Sequence, residues 1–521
     1  MLHKKLITLS LVAVASLYAE DIELSEVSVE STIITEVAQN AQVSADLAEA
    51  LSVKVPSIDM IRRSGIANDV YIRGQKRDNI SFEVDGTKVC GACPNRMDPP
   101  SSHILASQIE DVEVIEGPYD VETFGTMSGG VKITTKKPSK DFNGELNIGF
   151  GSWGYQKFGA TASGGNDRIR VLISASQEKS DQYKDGDGDT MSEQAANGTD
   201  ATKYYAPSHE DEQSYKKKSI MAKAFVTVTD DQELRLSYTR NESDNVLYPN
   251  TPMDAVYDDS NIYSIAYNIN NISDVYRNIN LEYYYSDVDH PMDNAFRKAG
   301  ATVVTTHHLT TTMQGLKLKN NFDLNGNKLL IGLDGSKRTW DGKYKRSNGT
   351  MFDGKKSIND VETKNIAIFT KLEKSIGNFD FIAGARYDST DIDPAGNQKS
   401  NDYTAFNFNL MTTYNMNEQN KIFLGFGQAS RVPDARELYY YDKSPAVIGT
   451  PDLDQTTNTE IDLGYEASYD MFSMKIKAFY SDLKDFIYYN KSLVNNRFEI
   501  LMQLYMVLNS VLHILQLMIS P

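Results

Sequence analysis

The sequence predicts an all-β, membrane-spanning antiparallel barrel preceded by a smaller domain of mixed α/β character. Three observations predict it. The chain opens on an export signal. It contains no internal apolar run long enough for a membrane helix. From about residue 142 onward it breaks into alternating segments separated by turns.

The opening stretch, MLHKKLITLSLVAVASLYAED, sets Lys4 and Lys5 before an apolar run from Leu6 to Leu17, with Ala19 at a small-residue cleavage site. This is the layout of a secretory signal peptide over residues 1–19. The mature chain then meets an oxidising compartment. Lys and Arg number 53 against 71 Asp and Glu, a net charge of −18. That balance argues against a nucleic-acid partner and suits a cation-attracting surface. No internal run reaches the roughly 18 apolar residues of a membrane helix, so a membrane crossing requires a closed barrel.

Residues 20–140 show mixed patterning, many glycine turns and no evenly spaced hairpins. Beyond them, GELNIGFGSWG, IRVLISASQ, ELRLSYTRN, NINLEYYYSD, NKLLIGLDGSKR and TEIDLGYEASYD all alternate. Alternation makes one face apolar and the other polar. A large soluble antiparallel sheet would alternate too. The turns favour the membrane barrel: short ones (GGNDR, TDDQE, NGN, SIGN) alternate with long charged ones, and aromatic residues gather near strand ends. With a first strand rising from the short-turn side, YKDGDGDTMSEQ tops the third strand, NVLYPNTPMDAVYDD the fifth and DVDHPMDNAFRK the seventh. About 15 strands are complete before residue 500. Residues 500–521, ILMQLYMVLNSVLHILQLMISP, carry no charge and lose the alternation. They read as an aberrant apolar tail from a frameshift or truncation. The barrel, residues 141–499, is therefore expected to be incomplete and open.

Both cysteines lie in CGACPNRMDPPSSH, residues 90–103. A Cys-x-x-Cys pair in an exported protein can be a disulfide. It can be a redox dithiol, although that motif usually begins a helix in a βαβ unit and no such pattern surrounds this one. It can contribute to a metal site, because CPNRM spaces the Cys93 thiolate and the Met97 thioether four apart. A partner for the third reading is HPM, with His290 and Met292 at the top of the seventh strand, on a loop able to fold over the preceding domain. Cys, Met and His together select Cu(I) over Mg, Ca or Mn, and two thioethers argue against Zn.

Further candidates are weaker. Met253, in TPMD, echoes HPMD and is a candidate relay ligand, and Cys90 is a candidate by position. His307 and His308 are adjacent, so on a strand they point to opposite faces and make poor joint ligands. Asp185, Asp187 and Asp189 resemble half a calcium loop, but Thr190 and Ala196 stand where Gly and Glu belong. The glycines of MSGGVK (127–132) lack the Gly-Lys-Ser/Thr ending of a phosphate loop. Neither a Ser/His/Asp nucleophile signature nor HExxH is present, and no enzymatic activity is expected.

VYIRGQKRDNISFEVDG (70–86), QIEDVEVIEGPYDVETFGTMSGGVKITTKKP (108–138) and ASRVPDARELYYYDKSPAVIGTPDLDQTTNTEIDLGYE (429–466) resemble, in order, the TonB-dependent outer-membrane receptors. The resemblance implies a plug, residues 36–140, folded inside a 22-stranded barrel; about 15–16 strands here fall short of that. It implies a place among the lipids of a Gram-negative outer membrane and energisation by TonB with its inner-membrane motor proteins. It also implies a segment within residues 20–35 that adds as a strand to TonB. LSEVSVE (Leu24, Ser25, Glu26, Val27, Ser28, Val29 and Glu30) is extended and β-branched enough for this. CPNRMDPPSS together with HPM further resembles the copper-receptor branch, which includes receptors linked to supplying copper for nitrous oxide reductase. That resemblance implies copper, favoured as Cu(I) and free or chelated, held by Cys93, Met97, His290 and Met292. A Cys90–Cys93 disulfide would remove the thiolate. Two other functions compete: a receptor for a ferric-siderophore or cobalamin-type chelate, and a periplasmic thiol oxidoreductase using Cys90 and Cys93.

Overall fold

The structure, a computed structural model, describes residues 31–35, 46–348, 356–442, 446–469 and 472–514. The expected signal peptide and the LSEVSVE segment lie outside the described residues.

One antiparallel sheet of 16 strands dominates the chain, running from Asn143–Phe150 to Phe498–Ile514 with neighbours paired in chain order. Its two faces follow the alternation. Leu146, Ile148, Ile169, Val171, Ile173, Ile366 and Ile368 are exposed on the outer face, whereas the intervening Leu172, Ser174 and Ala367 are buried inside. An exposed apolar outer face is what a lipid-facing barrel presents. The short turns are tight: Asn325 and Gly326 take φ of 56° and 84°, the left-handed pair that a two-residue hairpin demands. The long connections follow the third, fifth and seventh strands, at residues 181–214, 247–253 and 294–304, where the sequence places them.

The sheet does not stop at residue 499. Phe498–Ile514 pairs with Phe472–Tyr489, in register from Tyr489 opposite Phe498 to Phe472 opposite Ile514. Main-chain pairing needs no side-chain alternation, so an uncharged run can add a strand without it. Among the described residues, the first and last strands each pair on one side only, leaving the sheet open as expected.

The plug is built on a mixed five-stranded sheet. Its order is Ser31–Thr35, Ile109–Glu116, Gly129–Thr135, Ser81–Val84 and Thr87–Lys88, with one parallel pairing, Ser81–Val84 to Gly129–Thr135. The helix Leu47–Lys54 starts where the Asp46 side chain accepts from Ala48 N at 2.8 Å. Leu47, Leu51, Ile72, Val112, Val114 and Val131 form the core between them. Ser31–Thr35 was expected to belong to the TonB-facing segment 20–35. Instead it is an edge strand of the plug sheet, paired with residues 111–115; its β-branched STIIT sequence finds an edge within its own chain.

Buried charge fastens plug to barrel. The Arg73 guanidinium lies 2.8 Å from Asp462 and 3.4 Å from Glu116, and it also pairs with Glu460. Tyr119 donates to Asp462 at 2.5 Å. Replacing Arg73 with methionine leaves three buried carboxylates facing one another without their main cation, an imbalance worth about 3–5 kcal/mol. The R73M protein is expected to show a lower denaturation midpoint and a protease-sensitive plug. Unchanged proteolysis would show that the fastening lies elsewhere.

Candidate metal centre

The Cys93 thiol is set by a tight turn. Arg96 N donates to Cys93 O at 2.9 Å, and Pro94 occupies the second turn position, where its ring pre-sets φ. Arg96 then takes a φ of 57° and reverses the chain, so Met97 returns into the same buried cluster as Cys93. Asp98 ties off the turn, accepting from Cys93 N at 2.9 Å and from Ala92 N at 2.5 Å. Gly91 is required by this closure, since a Cβ there would stand 2.2 Å from the Asp98 carbonyl oxygen. Pro99 and Pro100 lead into the 3-10 turn Pro100–His103. From the barrel, Arg338 donates to Gly91 O at 3.2 Å and the Trp340 indole N–H to Ala92 O at 2.7 Å. The glycine, the prolines and the aspartate of this segment thus serve the presentation of one thiol.

The barrel side comes from strand Tyr276–Asp293. His290 and Met292 are two residues apart, so both face inward, and they are 0% and 4% exposed. The sequence placed them on a loop; they lie instead in the paired end of the strand, where Met292 is opposite Ala255 and His307. Pro291 misled, because proline marks loops. Here it sits in the irregularity between the Ala255 and Asp259 pairings, where a missing N–H is tolerated. No loop has to fold over the plug, because the plug turn meets the strand.

The two halves meet closely. Cys93 Sγ is 3.9 Å from Met292 Sδ. Met97 and Met253 belong to the same buried cluster, with Tyr248 and Leu309. The Tyr248 hydroxyl donates to the Met97 carbonyl. Ligand atoms of Cys93, Asp98 and His290 lie within 4.8 Å of one another. The imidazole is oriented: His290 Nδ1 bonds Asp258 Oδ1 at 3.2 Å, while the buried Nε2 has no hydrogen-bond partner among the described residues. A carboxylate fixing one imidazole nitrogen and leaving the other free is the usual arrangement around a ligating histidine. Burial pushes the Asp98 carboxyl above the usual carboxylate range, with His290 pulling against that and Asp258 adding to it.

Cys90 is not part of this cluster. Both cysteines are free thiols, neither begins a helix, and Cys90 lines a separate cavity with Lys88, Met313 and Arg338. His307 and His308 point to opposite faces as alternation predicts, one bonded to Ser357 at 2.7 Å and the other to Asp289 at 2.6 Å. Asp185 accepts the N–H groups of Asp187 and Asp189, and Thr190 caps the helix Met191–Asn197 instead of making the sharp turn of a calcium loop. Sequence reasoning missed Asp98, His103 and Asp258. The first two stand within the cysteine segment, Asp98 directly after Met97; Asp258 carries no signal of its own.

Trp340 offers a test of the grip on the turn. W340F keeps an aromatic ring and removes the donor to the Ala92 carbonyl. Leaving that buried carbonyl unpaired is expected to destabilise the plug turn by about 1–3 kcal/mol, read as a lower denaturation midpoint. An unchanged midpoint would show that the turn holds itself.

A family model described as "TonB dependent receptor-like, beta-barrel" matches residues 204–501, and one described as "TonB-dependent Receptor Plug Domain" matches residues 23–131. Among solved structures the chain is similar to the copper transporter OprC, at 19% identity over 92% of this chain and 77% of that one, with a TM-score of 0.80. It is similar to the siderophore receptor PirA from Acinetobacter baumannii, at 16% identity over 93% and 78%, with a TM-score of 0.71. It is similar to the FrpB iron transporter from Neisseria meningitidis (F3-3 variant), at 15% identity over 90% and 75%, with a TM-score of 0.70. At such identities the likeness is one of fold. No curated protein matches the chain.

Proposed function

Because the chain belongs to the TonB-dependent receptors, a family of transporters whose barrel fold implies a Gram-negative outer membrane, we propose that this member imports copper, held as Cu(I) between plug and barrel. The supporting observation is the 3.9 Å approach of Cys93 Sγ to Met292 Sδ. It joins a thiolate and thioether pair, Cys93 and Met97, to an imidazole and thioether pair, His290 and Met292. A monovalent ion bound to one thiolate is neutral overall, which suits a buried pocket where net charge is costly. Thiolate and thioethers favour Cu(I). Met253, in the same cluster, serves as a relay ligand. In this reading residues 1–19 export the chain, and Leu24–Glu30 pair with TonB so that its motor can remodel the plug. OprC, to which the chain is similar, is a copper transporter, whereas PirA is a siderophore receptor and FrpB an iron transporter.

Elemental analysis of the protein loaded with Cu(I) is expected to find one copper per chain, with X-ray absorption showing sulfur ligation. Absence of the metal, or ligation by nitrogen and oxygen alone, would overturn the assignment. One observation favours a chelate receptor instead: a cavity lined by Lys88, Arg96, Arg338, Arg431 and Phe124, in which four cations outnumber the carboxylates of Asp78 and Asp434, an excess suited to an anionic chelate. Alanine at Met97 and Met292 separates the two readings, because chelate uptake would survive it and copper uptake would not.

A further inference from the structure

We propose a second cation station beside the thiolate, formed by Asp98, His103 and Asp258 and suited to a divalent transition-metal ion. It draws on the copper reading only for the source of the ion. One ligand atom from each of the three residues lies within 4.8 Å of the others. All three are buried, His103 to 1% exposure.

The observation that points to a ligand is His103. Both of its ring nitrogens are buried and neither has a hydrogen-bond partner among the described residues. A buried imidazole with no bond at either nitrogen carries a desolvation cost that no hydrogen bond offsets, and the groups that face it are the Asp98 and Asp258 carboxylates. Its backbone is fixed on both sides: His103 closes the 3-10 turn Pro100–His103, and its carbonyl accepts from the Asn241 side-chain amide. Asp258 faces it from strand Asp254–Ile269 and also bonds His290 Nδ1. Asp98 faces it from the plug and also holds the Cys93 and Ala92 N–H groups.

The donor chemistry separates this station from the first. One imidazole and two carboxylates form a nitrogen and oxygen set, which suits a divalent ion such as Cu(II) or Zn(II) and not Cu(I). The charge allows it. Lys217, whose ammonium donates to the Ser102 and Ile104 carbonyls, is the cation near Asp258 from the barrel side. The imidazoles of His103 and His290 also face Asp258 and are neutral when they ligate, so with metal bound two carboxylates exceed the one ammonium. Asp98 belongs to both ligand clusters, so the stations are one carboxylate apart, and a metal leaving the thiolate has its next donors within reach.

The test uses the full chain in detergent with Cu(II) as the probe. Cys93→Ala combined with Met292→Ala removes two sulfur ligands. This variant is expected to keep one Cu(II), with nitrogen hyperfine structure in its electron paramagnetic resonance spectrum. Adding His103→Gln should abolish that signal, and adding Asp258→Asn instead should weaken binding at least about tenfold. His103→Gln alone should leave sulfur-ligated Cu(I) in place, which also reports an intact fold. A Cys93/Met292 variant that binds no stoichiometric Cu(II), or a signal indifferent to His103→Gln, overturns the station and leaves His103 as an ion-paired side chain. Loss of sulfur-ligated Cu(I) from the wild type, with the His103-dependent signal intact, would instead remove the Cu(I) reading and leave the station standing.

Discussion

Cys93→Ala is expected to abolish stoichiometric binding of Cu(I). The thiolate is the only charged member of the four-ligand set and the softest. Removing one partner of a buried charge pair costs about 3–5 kcal/mol, a fall in affinity on the order of a hundred- to several-thousandfold. Met97→Ala and Met292→Ala each remove one neutral thioether and should weaken binding less. His290→Ala should weaken it and flatten its pH dependence, because an imidazole must be deprotonated to ligate: wild-type affinity rises with pH through that titration, and the variant loses the contribution. Cys90→Ala is the discriminating control. Its side chain lines a different cavity, so copper should stay. Titration against a chelator, with metal analysis of each variant, checks the series. Cu(I) that persists in Cys93→Ala, or that vanishes in Cys90→Ala, contradicts the ligand set.

Proline at Val27 or Val29 is expected to abolish energised uptake while leaving copper binding at the wild-type level. Strand addition to a partner is carried by main-chain hydrogen bonds, and proline removes a donor and blocks the ladder. The substitution is far in sequence from the plug turn and the barrel strand that supply the ligands. Uptake of labelled copper by whole cells, paired with equilibrium binding on the purified variants, separates the two effects. Wild-type uptake by V27P and V29P proteins would place the coupling segment elsewhere.

The barrel was legible because alternation is a local signal that burial enforces: Ile169, Val171 and Ile173 face out and Leu172 faces in, as their spacing requires. The turns were legible for the same reason, Asn325 and Gly326 being a pair that accepts positive φ. Two boundaries were not. Ser31–Thr35 joins the plug sheet, and Phe498–Ile514 extends the barrel sheet, because backbone pairing takes any strand that meets an edge, whatever its patterning. At the site, the spacings of Cys93 with Met97 and of His290 with Met292 pointed to residues that the fold does bring together. The location of His290 and Met292 was misread, since Pro291 carries a turn signal that a local pairing irregularity absorbs. Asp258 could not be found from the chain alone. It meets His290 only because strands Asp254–Ile269 and Tyr276–Asp293 pair in one particular register, and register is a property of two strands together.

The division of the proposed ligands between plug and barrel has a consequence for release. Each body alone is a bidentate ligand, Cys93 with Met97 on one and His290 with Met292 on the other. The tight affinity of the assembled set is a chelate effect: once one pair has the ion, the other is present at a very high effective concentration, which collapses as soon as the span between them opens. A displacement of the plug by a few ångströms then does not have to strip four bonds at once. It converts a tetradentate complex into a bidentate one, whose dissociation is faster by the factor that the lost concentration supplied. The work done on the plug is in that sense work done against chelation, and the ion leaves on the half that moves.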